Sequence, residues 1–297
     1  AWRLADARLW RDAGDKERAL GRALDIAQKA PWNLEAQQIA ANWCAESGHD
    51  EQAEQIDERA LAADSLWTRD ELDGLYATLC QLHWSNIDLA KAGAVADRWI
   101  ASGTASHEAH ALRLAVMLYQ GKLKEAVADV DATLAADLDI DGKPSDLARF
   151  DAALRFLLGD GWRFSRSAIL PDDLPRLESV VRKYLVSSSR TGLARVQWIL
   201  ANDGFRRTDA GRGVLAEMRG WFGVASRVEQ MPFLMLDLAL QYLDARELSD
   251  QAWTEVVANL PKRIAATTNR FERDRLAQHY LALCDRRDAQ DLVITFQ

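Results

Sequence analysis

"GDKERALGRALDIAQKAP", residues 14–31, reads as one helix with its punctuation attached. Gly14 stands in front, the Asp15 carboxylate opens the first turn, where backbone N–H groups lack partners, and Pro31 closes it. Whether this helix stands alone or is one copy of a repeated unit decides the fold. Ala19 follows Gly14 by five positions, and Gly48 leads to Ala53 in the same way, 34 residues on. Ala7 and Ala41 each precede those alanines by 12 positions, with Trp10 and Cys44 three further along, so two helices recur in phase. Aligning "SNIDLAKA" (85–92) with "GKLKEAVA" (121–128) brings Ala90 and Ala126 to the same position and makes the spacings 34, 37 and 36 residues. Small residues at such a period mark helix crossings, and a hairpin that cannot bury its apolar face alone buries it against the next. The expected fold is an all-α solenoid of antiparallel helix hairpins.

Composition agrees with that pattern. Ala and Leu dominate the 297 residues, with six Pro and 16 Gly, which favours helix throughout. The 11 Trp are scattered and read mostly as packing anchors between helices. Helix ends are legible too: Asn33 precedes Leu34, Gly48 follows, Thr68 with Glu71 has capping-box spacing, and Ser106 and Gly121 bracket another helix.

Net charge is −8 and unevenly divided. Residues 1–158 hold 17 Lys and Arg against 27 Asp and Glu, whereas residues 159–297 hold 20 against 18. Without a clustered basic run, general nucleic-acid binding is not expected. Cys44, Cys80 and Cys284 are odd in number and widely spaced, which points to packed thiols rather than a disulfide framework or a zinc site. No apolar run approaches the roughly 20 residues of a membrane span. The sequence reading expects a cytoplasmic protein, and the start at Ala1 without Met leaves open a removed leader or a further domain.

The period fades after residue 136. "DLDIDGKPSD" reads as a loop and "LARFDAALRFLLG" as another helix; "DGWRFSRSAILPDDLP" (160–175), with Gly161, Pro171 and Pro175, then breaks the pattern. The domains are therefore set at 1–158, regular repeats, and 159–297, a divergent continuation in which Ala252, followed by a closing Pro261, restores the reference pattern.

These units resemble the tetratricopeptide repeat family. The resemblance rests on Ala7, Gly14, Ala19 and Pro31 in the first unit and Ala41, Gly48, Ala53 and Ala60 in the second, with weaker matches around Ala90 and Ala126, and covers about residues 1–136. Two departures stand out: Arg3 and Gln37 occupy a position usually aromatic or Leu, and a closing proline appears once in four units. The resemblance implies a right-handed solenoid that reads peptides on a concave surface lined by the first helix of each unit. Arg8, Arg11, Gln38 and Asn42 would then face the groove. Family members that clamp a terminal carboxylate use Lys and Asn there, and only Asn42 conforms. With Leu75, Leu79 and Leu82 in the third unit, an apolar segment or a partner's helix suits the groove better.

Other candidates are weaker. Asp137, Asp139, Asp141 and Gly142 match the start of a calcium-binding loop, but its closing Glu is Ala148 and its eighth position is Pro144, so an acidic connector is expected. His107 and His110 could share a metal, yet nothing supplies a third ligand. Asp172 and Asp173 suit the start of a helix. No nucleophile elbow, P-loop, metalloprotease or dinucleotide motif is present. The densest surface candidate is residues 203–227, where Arg206, Arg207, Arg212, Arg219 and Arg227 accompany Phe205, Trp221 and Phe222; it reads either as a partner-binding patch or as a helix connection with core aromatics and solvated arginines. The function expected is a non-catalytic scaffold or adaptor for a protein or peptide partner, without cofactor or metal. The alternative is a regulatory or substrate-presenting domain of a larger enzyme such as a transferase; a third reading, a sensor, calls for an Arg-lined cavity around residues 206–227.

Overall fold

All elements among the described residues are helical. The computed structural model describes residues 2–136, 141–159, 169–187, 189–223 and 225–287, with the side chains of residues 2, 3 and 225–227 outside that description. Asp137, Asp139, Gly161 and Trp162, along with the Arg3 and Arg227 side chains, therefore lie outside the described residues. Two compact units emerge, one of residues 2–136 with 143–156, the other of residues 141–142, 157–159 and 169–287.

The first unit contains α1 (Trp2–Asp12), α2 (Lys16–Lys29), α3 (Leu34–Glu46), α4 (Asp50–Ala62), a 3₁₀ turn (Asp64–Leu66), α5 (Arg69–Ser85), α6 (Leu89–Ala101), α7 (His107–Tyr119), α8 (Leu123–Ala135) and most of α9 (Pro144–Leu158). From α1 to α8 each helix packs against its neighbours in sequence, as in a helical-repeat solenoid. The starts are capped as the residue types require: Asp15, Asn33 and Asp88 each accept from a backbone N–H at 3.1 Å, and Thr68 and Glu71 close a reciprocal capping box. The core is lined with alanine. Ala7, Ala19, Ala23, Ala40, Ala96 and Ala109 are all fully buried, which lets neighbouring backbones approach closely.

The third unit corrects the register set out above. Ala90 is exposed, whereas Ala92 is fully buried and sits where Ala19, Ala53 and Ala126 sit. In the other three units the residue five positions earlier is a glycine in the left-handed region, Gly14, Gly48 or Gly121; in the third it is Ile87, at φ 60°. A β-branched residue rarely takes that conformation, so the turn carries no glycine to announce it. The true spacings are 34, 39 and 34 residues. The extra length lies in the 3₁₀ turn before α5 and in α5 itself, 17 residues long against 13 for α3. On this register the crossing position of the first helices is Ala7, Ala41, Cys80 and Leu114, every one buried.

Gln37, a departure from the family pattern, has a local reason. Its buried amide donates to the Ala27 carbonyl at 2.7 Å and caps the end of α2, which a Leu or Phe side chain, having no donor, could not do. Trp67 does the same for α4, donating to the Ala60 carbonyl at 2.8 Å.

The second unit is less regular. It contains a 3₁₀ turn (Pro171–Asp173), α10 (Leu174–Ser187), α11 (Arg190–Ala201), the single turn α12 (Asp203–Arg206), α13 (Asp209–Gly220), a 3₁₀ turn (Trp221–Gly223), α14 (Ala225–Gln230), α15 (Phe233–Gln241), a 3₁₀ turn (Ala245–Glu247), α16 (Asp250–Ala266) and α17 (Arg270–Arg286). Sequential pairs persist in α10 with α11, α12 with α13 and α16 with α17, but α10 also packs on α13, α11 on α15 and α14 on α16. Pro261, expected to close a helix, lies inside α16. Buried Val256, Leu260 and Ile264 hold the helix on both sides of it, and that packing outweighs the lost N–H.

Candidate partner-binding surface

Arg8, Asn42 and Gln81 share one register position, one residue after the crossing position, on α1, α3 and α5. Arg8 and Asn42 are exposed and Gln81 is half-buried, so three successive first helices present a polar row. Arg8 pairs with Glu35 at 2.5 Å, and Gln81 donates to the Ser85 hydroxyl at 2.9 Å. Arg11 pairs with Glu46 and lies 4.5 Å over the Trp43 ring, while Gln38 is half-buried on α3. Both arginines are thus answered by carboxylates of α3, which removes most of the free positive charge expected along this face.

The expected apolar contribution of the third unit also changes. Leu75 and Leu79 are fully buried and Leu82 is 8% exposed, so they are core. Thr78 and Gln81 stand beside them at the surface. The two-residue register shift is the cause, and it converts an apolar stripe into a polar one.

Beside this row lies a recess of about 580 Å³ bounded by α3, α4, α5, the end of α6 and the start of α7. Asn42, Thr78 and Gln81 line it, with Ala41, Ala53 and Trp99 deeper in. Asp57 of α4 also lines it, only 1% exposed, with no hydrogen-bond partner for either carboxylate oxygen. Burial, helped by the neighbouring Glu58 carboxylate, pushes the Asp57 carboxyl up to about 7. The sequence reading passed over Asp57 because "EQIDERALA" looks like a charged helix surface. The signal was there in the register: Ala53, Ile56, Asp57, Ala60 and Leu61 trace one buried stripe, and Asp57 falls inside it.

The other candidates separate. In the second unit Arg206 and Arg207 both pair with Asp203, and Arg212 pairs with Asp209 at 2.5 Å. Phe205 and Phe222 are fully buried and Trp221 is 8% exposed. Trp221 borders a recess of about 390 Å³ whose lining includes Leu185, Met231 and Met235 but none of Arg206, Arg207 or Arg212. The segment's aromatics are core, and Arg206, Arg207 and Arg212 meet acids within the segment itself.

Hydrogen bonds from Thr191 and from the Ser189 hydroxyl, the latter at 2.8 Å, hold the Asp141 carboxyl below the usual carboxylate range. Pro144 opens α9 and Ala148 is buried in it. Burial and nearby Arg149 and Arg113 hold His110 down at about 4, and burial with Arg155 lowers His107. Both rings are therefore neutral members of a packed, Arg-flanked helix face. Among the described residues no group of three or more His, Cys, Asp or Glu is placed to hold a metal. All three cysteines are buried, and burial pushes the Cys80 thiol up to about 12, far from a reactive thiolate. No described helix is long and apolar enough to cross a membrane.

No family model matches this sequence, and no curated protein matches it significantly.

Proposed function

We propose that the chain is a tetratricopeptide-like, non-catalytic scaffold or adaptor that holds a protein or peptide partner on the face built by the first helices of its regular unit. The observation that supports this most is the row of Arg8, Asn42 and Gln81, three polar side chains at one register position on successive helices, beside a recess of about 580 Å³. Stacked helix hairpins put such rows at regular intervals, which suits an extended segment whose side chains alternate between contacts. With the third unit polar rather than apolar at this face, a segment rich in hydrogen-bonding groups fits it better than an apolar helix.

The test is affinity capture with wild-type protein and an Arg8→Glu/Asn42→Ala variant, followed by mass spectrometry and by titration of each captured protein against both. A partner bound directly by wild type and weakened at least tenfold by the variant supports the reading. Partners bound equally by both proteins would remove this face from the account.

A further inference from the structure

Asp57 breaks the pattern of its own unit. Four residues after the crossing alanine of the second helix, the other units carry Ala23, Ala96 and Val130, each no more than 1% exposed. Of the four hairpins, the α3–α4 hairpin alone places a carboxyl there. A charge at a position the repeat reserves for apolar side chains has no packing rationale, and such local violations concentrate at functional sites. A buried carboxyl ordinarily finds a donor inside the protein; here neither oxygen has one, and the side chain borders a recess wide enough for a small molecule.

The surroundings define what fits. Glu46, Asp50 and Glu108 also border the recess, and it has no Lys or Arg in its lining. Glu46 is answered by Arg11 from outside the recess. The walls are otherwise short and apolar, Ala41, Ala53 and Leu82 among them, while Asn42, Thr78 and Gln81 offer oxygen acceptors. An anion is repelled by this lining, and a neutral apolar molecule leaves the carboxyl unpaired. A compact cation with several N–H donors satisfies both the charge and the hydrogen-bonding deficit.

We propose that the recess bounded by α3, α4 and α5 is a binding site for a primary ammonium group carried on a short aliphatic chain, with Asp57 as its buried counter-ion. The amide and hydroxyl oxygens of Asn42, Gln81 and Thr78 accept the remaining N–H bonds, and the alanine walls take the methylenes. The same chemistry comes from a free alkylamine or from a lysine side chain of a peptide. The site goes beyond the partner-binding reading, because a free amine needs no groove-bound segment.

The test is calorimetric titration of the full chain with n-butylammonium, its neutral counterpart n-butanol, and acetyl-Gly-Lys-Gly-amide. Saturable binding of n-butylammonium is expected, at least tenfold tighter than n-butanol and at least tenfold weakened by Asp57→Asn, which keeps the side chain's shape. Ala45→Leu, which narrows the recess from a half-buried wall position and leaves Asp57 in place, is expected to weaken binding at least tenfold as well, with circular dichroism confirming that each variant is folded. Binding of the lysine peptide with the same dependence on Asp57 assigns the site to a peptide side chain; rejection of the peptide with retention of n-butylammonium assigns it to a free amine. Absence of n-butylammonium binding, or equal affinity in the Asp57→Asn protein, overturns the proposal. Because the probe is a free amine, that failure leaves the Arg8→Glu/Asn42→Ala capture result untouched, and the reverse also holds.

Discussion

In the first unit the second helix of each hairpin crosses on alanine; in the second unit two helix pairs, α10 with α11 and α12 with α13, meet over glycine. A Cβ added to Gly192 would stand 2.0 Å from the Tyr184 ring, and one added to Gly211 would stand 2.2 Å from the Phe205 carbonyl oxygen, so no larger residue fits either place without a shift. The two units also finish their helices differently. Those of the first end locally, on left-handed turns such as the one at Gly48, or on a side chain from the adjacent helix such as Gln37. In the second, arginines far along the chain cap carbonyls left open at turns and helix ends: Arg287 donates to Ala245 at 2.8 Å and Leu248 at 2.9 Å, and Arg263 donates to Glu229 at 3.1 Å and Met231 at 3.3 Å. A repeat built on alanine and short turns stacks equal hairpins. Glycine contacts and long-range arginine caps allow unequal ones, and they account for part of the basic charge of residues 159–297 without any ligand.

Asp57 is the place where the regular unit departs furthest from its own rule, and the largest effect is expected there. Its carboxyl is held at about 7 in the folded chain against an ordinary 3.8, so between those values the unfolded chain is ionised while the folded one keeps its proton. Folding then takes up a proton, and the Asp57 contribution to stability falls as pH rises from about 4 to about 7, by about 4 kcal/mol in all. Glu58, Glu46, Asp50 and Glu108 lie near it, and the neutral His83, His107 and His110 titrate in the same range with the opposite slope. Those groups are common to wild type and Asp57→Asn, so they cancel in the difference. Urea midpoints of the two proteins should converge at pH 4 and diverge in favour of Asp57→Asn by pH 8. Parallel curves would mean that Asp57 is not buried in the folded chain.

The glycine crossings come next in size. Gly211→Ala forces the Phe205 carbonyl and the Arg206 backbone to move, because neither is the flexible end of a side chain, and is expected to cost about 3 kcal/mol. Gly213, two residues on in the same helix, is exposed and faces open space. Gly213→Ala is expected to stabilise by about 0.5 to 1 kcal/mol through helix propensity alone. Thermal melts of the pair measure the contrast, and similar shifts in both would show that the close α12 to α13 approach is not what sets the second unit apart.

This contrast also explains what could be read in advance. Alanine at a fixed distance from a glycine turn is a local signal that marks the all-α hairpins, and the capping residues Thr68, Asn33 and Ser106 mark helix starts just as locally. The irregular packing of α10 to α17 rests on pairs such as Arg286 with the Leu243 carbonyl, separated by more than 40 residues, which no local pattern encodes. Of the candidate face, Arg8 and Asn42 lie on exposed first-helix positions, Gln81 is hidden by the shifted third register, and Asp57 by its likeness to the other acids of an acidic helix. Nothing in the identity of Arg8 or Arg11 discloses that Glu35 and Glu46 answer them from the next first helix.

An effect smaller than that of Gly211→Ala is the most direct probe of that shifted register. Ile87 is 81% exposed and takes φ 60° where three sibling units use glycine, so its side chain gains little from packing while its backbone occupies a region that disfavours branched residues. Replacement by glycine removes the steric cost in the folded state but also loosens the unfolded chain, and these terms oppose each other. The first is larger for a β-branched residue, so Ile87→Gly is expected to raise stability by about 1 kcal/mol, with Ile87→Asn giving a smaller gain in the same direction. Ile87→Val keeps the branch at Cβ and is expected to gain nothing. If Ile87→Gly instead lowers the melting temperature while Gly48→Ile is tolerated, the turn before Ala92 is not equivalent to the turn before Ala53, and the spacing of 39 residues between those alanines reflects a different unit rather than a lengthened copy.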